Sequence, residues 1–361
     1  MIPHRPAPRY NGKNPFFGPA MRRILIIAPS WLGDIIMSQC LLKLLKKRDP
    51  SCRIDVYAPA YAHPIIRRMP EADGIIENPF AHHEFAFIKR RREGIKLRAA
   101  RYDEAYILPN SWKSALVPFF ARIPLRIGFK GESRYLLINS MRSNKKDYPR
   151  MADRYAALAW PLDQVTSSAT LPAYEFPALK TLPPSEELLA RLKITPGRPM
   201  LALGCGANYG PAKLWPVEYF ARVCDWWTGR GGQVLALGSK KDIPTVAAIA
   251  SKLKAETAPY FNDIAGKTSL DEALDLTGAC QAAICNDSGL MHTVAAAGVP
   301  QADIFGSTST VYTPPLSEKA VCVESDESCH PCFERRCPKG TYECLRGIKP
   351  ERVIAALEEV L

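Results

Sequence analysis

Ala282-Ala283-Ile284-Cys285, then Asn286-Asp287-Ser288-Gly289-Leu290-Met291-His292 and an alanine-rich run to Ala297, reads as a buried strand, a tight polar turn and a helix. Gly298 stands just past the helix end and Pro300 beyond it, the usual terminators. Asp287 and Ser288 can each cap the helix, because their oxygens accept from its first free N–H groups. Gly289 allows close approach to the backbone. The remaining N–H groups and the positive helix end suit phosphate oxygens, and His292 lies about one turn inside on the same face. An ordinary capped helix in an α/β protein accounts for this stretch equally well, so the rest of the chain has to discriminate.

The same unit recurs upstream. Ile24 to Ala28 is a continuous apolar run, as in a central parallel strand; Pro29-Ser30-Trp31-Leu32-Gly33-Asp34 is a turn, and Ile35 to Lys47 has helical periodicity. Arg53–Ala58, Tyr106–Leu108 and Arg126–Phe129 read as further strands, Tyr61–Met69 and Ser114–Phe120 as helices. Prolines 161, 172, 177, 183, 184, 196 and 199 then loosen the pattern. A second series follows: strands Met200–Gly204 and Gln233–Leu237, helices Val217–Thr228, Ile243–Leu253 and Leu270–Thr277. Alternating strands and helices predict an α/β protein with two Rossmann-like, doubly wound domains facing a central cleft. The expected divisions are a disordered arm over 1–20, a first domain over 21–175, a linker over 176–199, a second domain over 200–348 and a C-terminal helix over 349–361. Pro350 stands at that helix's first turn.

Of the 361 residues, 160 at the N-terminal end hold 29 Lys and Arg against 13 Asp and Glu, a net of +16, and the remainder nets −4. A basic half implies an anionic partner, unless it is simply a solvated face. The densest run, Lys89-Arg90-Arg91-Arg92 on to Arg101, has no interleaved aromatics, which argues against single-stranded nucleic acid. No apolar run approaches the roughly 20 residues of a membrane span, and Met1–Ala20, with five prolines, is no secretory signal. Eleven cysteines without such a signal point to reduced thiols in the cytoplasm, seven of them in apolar, core-like contexts.

Ligand-binding loops in such folds lie at the carboxyl ends of strands, which singles out Pro29–Asp34, Pro109–Ser114, Gly204–Lys213 and Asn286–His292. No G-x-G-x-x-G follows the first strand, and no P-loop, G-x-S-x-G or H-E-x-x-H occurs, which weakens a dinucleotide oxidoreductase and excludes a P-loop NTPase.

Several separated motifs, in order, resemble one family. They are Met21-Arg22-Arg23-Ile24-Leu25 leading into Pro29–Asp34, Leu108-Pro109-Asn110-Ser111-Trp112-Lys113-Ser114-Ala115-Leu116-Val117-Pro118, Gly210-Pro211-Ala212-Lys213-Leu214-Trp215-Pro216, Asn286–His292 and Thr313-Pro314-Pro315-Leu316-Ser317. From Met21 to the end the chain is similar to ADP-heptose:lipopolysaccharide heptosyltransferases, most of all their heptosyltransferase II members. The resemblance implies the GT-B fold, with an acceptor-binding first domain and an ADP-sugar-binding second domain. It implies inverting, metal-independent transfer of L-glycero-D-manno-heptose from ADP-heptose to the first heptose of the Kdo–lipid A inner core. It also implies a cytoplasmic protein, peripheral on the inner face of the inner membrane. Leu214 and Asp303 depart from the family pattern, the latter inside an otherwise apolar strand.

On this resemblance Asp34 matches the base that takes the acceptor proton; the plainer reading of it is an N-cap for Ile35–Lys47. Lys213 matches the diphosphate lysine, replacing a metal as charge builds on the leaving group; otherwise it is a surface lysine. Asn208, Asp287, Ser288, Gly289 and His292 complete the donor pocket, and Asp242 is either a ribose acceptor or a helix cap. Asn110, Ser111, Lys113 and Ser114 would meet acceptor sugars, with Arg126, Lys130 and Arg134 on its anionic groups. The Lys89–Arg101 run would face the membrane surface. No cofactor is expected for catalysis. Cys329, Cys332, Cys337 and Cys344 suit a structural zinc, free thiols or a redox pair. The functional alternatives are a sugar-nucleotide epimerase of the same architecture and, from charge alone, a nucleic-acid-binding protein.

Overall fold

The computed structural model describes residues 21–81 and 84–361. The expected arm over 1–20 lies outside them. Two six-stranded, wholly parallel sheets form the frame. The first contains β1 (Arg23–Ile27), β2 (Arg53–Ala58), β3 (Gly74–Glu77), β4 (Glu104–Ile107), β5 (Leu125–Phe129) and β6 (Ser140–Arg142), in the order β3-β2-β1-β4-β5-β6. The second contains β7 (Met200–Gly204), β8 (Gln233–Ala236), β9 (Phe261–Asp263), β10 (Ala282–Asn286), β11 (Gln301–Phe305) and β12 (Ala320–Glu324), in the order β12-β11-β10-β7-β8-β9. Read from its own first strand, each sheet has the same doubly wound order, the GT-B arrangement of two Rossmann-like domains.

Both faces of each sheet are covered, which is why the strands are continuous apolar runs. Ile24 and Ile26 enter one core layer, Leu25 and Ile27 the opposite one. Leu201, Leu203, Ala282 and Ile284 face one side of the second sheet; Ala202, Ala283 and Cys285 face the other. β3, β6 and β9 are short and carry too little pattern to read from sequence, and β12, a half-exposed edge strand, was not expected either. The expected Ile35–Lys47 helix is two, Leu32–Met37 and Gln39–Arg48, divided at Ser38, whose hydroxyl donates to the Ile35 carbonyl at 2.6 Å.

Asp303 does not break β11. Its carboxyl is fully buried, accepts from Gln301 Nε2 at 2.7 Å, and leaves Oδ1 without a partner among the described residues. Burial pushes its pKa well above the usual range, so the strand carries a neutral acid.

The chain between the sheets is shared. Leu179 enters the first core and donates its N–H to the Ala296 carbonyl of the second domain at 2.8 Å; Leu188, Leu192 and Ile194 enter the second core. The C-terminal helix, Pro350–Glu358, sends Val353 and Leu357 into the core of the second sheet rather than standing apart. Arg68 crosses to Asp271 and to Asp275 (2.8 Å to the latter), tying the domains on one side of the cleft.

Candidate functional site

In both sheets the strand order reverses next to the first strand, between β1 and β4 and between β7 and β10. All four loops singled out from the sequence leave the carboxyl ends of these four strands. They converge because the two switch points face one another across the cleft.

The contact is close. A Cβ placed on Gly33 would fall 2.5 Å from His292 Cδ2, and one on Gly289 would fall 3.4 Å from Leu32 Cβ. The start of the Leu32–Met37 helix therefore meets the start of the Gly289–Ala296 helix, and Gly33 is required by that approach. Asp34 is the third residue of the first helix, not its N-cap; Trp31 is at that position. Burial pushes its carboxyl pKa up to about 6, against the opposing effect of a hydrogen bond with the buried Tyr155. No cation is among the causes of this shift, so the carboxylate is a base poised close to neutrality. Tyr155 was not anticipated; it comes from a helix, Met151–Ala157, that has no motif.

On the opposite side, Lys213 Nζ donates to Asp287 Oδ2 at 2.5 Å, and Thr308 Oγ1 donates to the same oxygen at 2.5 Å. Asp287 therefore anchors the lysine and does not cap the helix. Ser288 holds the N-cap backbone position, but its side chain makes no capping bond. The first N–H groups of the helix are left free of side-chain caps, as an anion site needs. His292 is buried, and burial lowers its pKa to about 4, with Asp287 opposing and Lys213 reinforcing, so it is neutral at physiological pH. Asn286 is buried too: its Nδ2 donates to the Cys205 carbonyl at 2.7 Å and its Oδ1 accepts from Trp215 N–H at 3.3 Å. It thereby fixes both ends of the Cys205–Trp215 loop that carries Asn208 and Lys213. Asn208 itself is exposed on that loop.

The loop after β4 is held from below. Arg134 is 1% exposed; its guanidinium donates to the carbonyls of Pro109 (2.6 Å), Ser111 (3.3 Å) and Phe129 (2.5 Å) and to Ser114 Oγ (3.3 Å). Glu132 accepts from Trp112 N–H at 2.7 Å. Ser114 is buried, and its hydroxyl donates to the Ser111 carbonyl at 2.6 Å. Arg134 and Ser114 thus shape the loop instead of pointing from it, which leaves Asn110, Ser111, Trp112 and Lys113 as its outward groups. Burial lowers the Arg134 pKa to about 10, so the side chain stays charged near neutrality.

The model of glycosyltransferase family 9 (heptosyltransferase) matches residues 90–343. Lipooligosaccharide heptosyltransferase 2 of Haemophilus influenzae is 42% identical over 344 residues, covering 94% of this chain and 99% of that protein. The chain belongs to glycosyltransferase family 9. Lipopolysaccharide heptosyltransferase 2 of Escherichia coli K12 is 40% identical over 342 residues, with 94% and 98% covered. The solved structure of E. coli ADP-heptose LPS heptosyltransferase II superposes with a TM-score of 0.84 at 38% identity, over 94% of this chain and 98% of that one.

Within this family 9 chain, some expected residues stand elsewhere. Arg126 is the second residue of β5, paired with Ala105 near the amino ends of the strands, and it donates to the carbonyls of Leu137 and Ile123, each at 2.6 Å. It lies at the opposite end of the sheet from the loop after β4 and does not join the acceptor group. Arg90 is buried, donates to the Phe85 carbonyl at 2.7 Å and lies 3.9 Å over the Phe80 ring, so it leaves the expected surface patch. Asp242 accepts from Ser239 N–H (2.7 Å) and hydroxyl (2.8 Å) through Oδ2, the cap role. Its Oδ1 lies over Gly206 at the carboxyl ends of β7 and β8.

The four late cysteines are free thiols. Cys344 is buried, and its pKa is pushed up to about 11 by burial, with the other three thiols adding to the shift. Among the described residues no group of three or more His, Cys, Asp or Glu is arranged to hold a metal. The segment braces the loop after β7. Tyr209 OH donates to the Phe333 carbonyl at 2.5 Å, Ala212 N–H to the Arg335 carbonyl at 3.2 Å, and Lys213 and Arg335 each approach the Tyr209 ring, 4.8 and 5.2 Å from its centre.

Proposed function

We propose that this chain transfers heptose from ADP-heptose to the first heptose of the lipopolysaccharide inner core, with inversion at the anomeric carbon and without a catalytic metal. The observation that carries the reading is a desolvated carboxylate, Asp34, facing an uncapped helix start and an anchored lysine across one narrow cleft. The named relatives supply the substrate pair.

Asp34 takes the proton of the acceptor hydroxyl as its oxygen bonds to the anomeric carbon. The bond from that carbon to the β-phosphate oxygen breaks on the opposite face, and its electron pair leaves with ADP. Lys213 and the N–H groups at the start of the Gly289–Ala296 helix stabilise the charge that develops there. Neutral His292 packs the two helix starts together without adding charge. Asp242 Oδ1, outside the capping bonds, accepts from a ribose hydroxyl, and Asn208, exposed on the loop that carries Lys213, contacts the donor. Asn110, Ser111, Trp112 and Lys113 receive the acceptor, Lys113 on its acidic groups. Because the acceptor is lipid-anchored, the enzyme works at the inner face of the inner membrane; no described helix is long and apolar enough to cross it.

The test is transfer from ADP-heptose to purified inner-core acceptor, followed by product mass and anomeric configuration, with EDTA present. A mass gain of one heptose with inverted configuration is expected. Retained configuration, or strict dependence on Mg²⁺ or Mn²⁺, overturns the mechanism.

A further inference from the structure

Most of the Lys89–Arg101 run is a helix, Phe87–Leu97, and its outer face is more than basic. Ile88 is 65% exposed and Ile95 38% exposed, seven residues apart on one face, with Arg91 and Arg92 between them. Phe85 and Phe87 are also exposed at the N-terminal end. The inner face is fixed: Arg90 and Gly94 are buried, and a Cβ on Gly94 would fall 2.6 Å from the Val117 carbonyl oxygen. The helix therefore cannot turn its isoleucines inward. Lys89 pairs with Glu84 and Lys96 with Glu93, whereas Arg91 and Arg92 have no acidic partner among the described residues. The patch is continuous with the candidate acceptor loop, since Phe85 stacks on Trp112 with ring centroids 5.9 Å apart and planes at 21°.

Large apolar side chains grouped on a surface mark an interaction site. Aliphatic and aromatic groups alternating with unpaired arginines fit a surface that is both oily and anionic. Nucleic acid fits poorly, because Ile88 and Ile95 cannot stack on bases and the Phe85 and Phe87 rings are already packed against Trp112 and Phe120. We propose that Phe85 and the outer face of the Phe87–Leu97 helix dock on an anionic lipid bilayer, Phe85, Ile88 and Ile95 entering the headgroup boundary while Arg91 and Arg92 hold lipid phosphates. This rests on the lipid-anchored acceptor of the preceding reading and names the surface that meets its membrane. Through the Phe85–Trp112 stack, docking sets the acceptor loop at headgroup level.

The test is co-sedimentation of the full chain with phosphatidylethanolamine/phosphatidylglycerol vesicles and with pure phosphatidylcholine vesicles at physiological salt. Ile88→Ser with Ile95→Ser should weaken binding to the anionic vesicles roughly tenfold or more, from lost apolar burial. Arg91→Gln with Arg92→Gln should weaken it about tenfold or more, at about fivefold per charge. Phosphatidylcholine should bind the parent at least about tenfold less. Both variants should keep transfer to a delipidated, soluble acceptor within about twofold, which shows that they fold. Failure of the parent to bind anionic vesicles overturns the proposal, as does either pair binding within about twofold of the parent. An arginine effect without an isoleucine effect overturns insertion. If the parent binds vesicles as described but transfers nothing to soluble acceptor, the transferase reading fails and the membrane surface stands.

Discussion

The two switch points share one topology and differ in how their charge is handled. In the second domain Lys213, Asp287 and Thr308 form a closed set, cation against carboxylate against hydroxyl, beside an uncapped helix start. In the first, Asp34 has a tyrosine for company and no cation among the causes of its shift, so burial alone dominates and lifts its pKa to about 6. A preorganised, nearly neutral set suits a site where an anion must develop charge. An uncompensated carboxylate suits a site where a proton must be accepted. The same fold supplies both because function resides in the loops, not in the strand order.

The largest expected effect breaks this contrast on the basic side. Asp34→Asn keeps the shape and removes the proton acceptor, so turnover should fall by roughly 10²–10⁴ while ADP-heptose binding is kept; calorimetric binding beside steady-state kinetics checks it. The parent should lose activity as pH falls through about 6, because the base is protonated below its raised pKa, and should level off above it. An acid limb near 4 would mean that Asp34 is solvated in the working enzyme.

Lys213→Ala opens the closed set. It leaves Asp287, 4% exposed at the side chain, without its cation, and ADP should bind roughly 10–100-fold more weakly with the acceptor KM little changed. Asp287→Ala should do similar damage, and the double variant should lose much less than the product of the two, as expected for groups acting as a unit. Simple multiplication of the losses would show the two residues to be independent.

Arg134 and Arg126 sharpen the comparison within the first domain. Arg134→Met removes the staple beneath the loop after β4, so the acceptor KM should rise about tenfold with donor affinity unchanged. Arg134→Lys should restore little of it, since an ammonium lacks the fork that reaches four acceptors. Arg126→Gln should leave acceptor kinetics within about twofold. Equal effects at both positions would place the acceptor site elsewhere.

The smallest effect concerns Asp303. Its folded pKa is raised, so the stability it contributes is present below the unfolded value near 4 and is lost as pH rises toward the folded value. Asp303→Asn cannot ionise and should flatten the fall in Tm as pH rises above about 4, by a few degrees. Identical pH profiles for parent and variant would mean that the Asp303 carboxyl titrates alike in the folded and unfolded states, so that burial does not raise its folded value.

Much was legible in the chain itself. Continuous apolar runs fixed β1, β7 and β10 as central parallel strands, because a strand covered on both faces has no reason to alternate. Polar turns directly after such runs marked all four cleft loops, three of them with a glycine, since only the carboxyl ends of strands at a switch point are free to carry them. Asp34 and Lys213 were legible by type and place. What each side chain does there was decided by packing. Sequence offered Asp287 as a cap, and the approach of Lys213 and Thr308, 74 and 21 residues away, turned it into an anchor. Arg134 and Arg126 look alike in sequence, yet one lies buried under the loop after β4 and the other at the far end of the sheet. Tyr155 has no motif, and only tertiary contact sets it beside Asp34. Local pattern fixes strands and turns because it acts through neighbouring residues; hydrogen-bond partners and desolvation depend on groups that are distant in the chain until it folds.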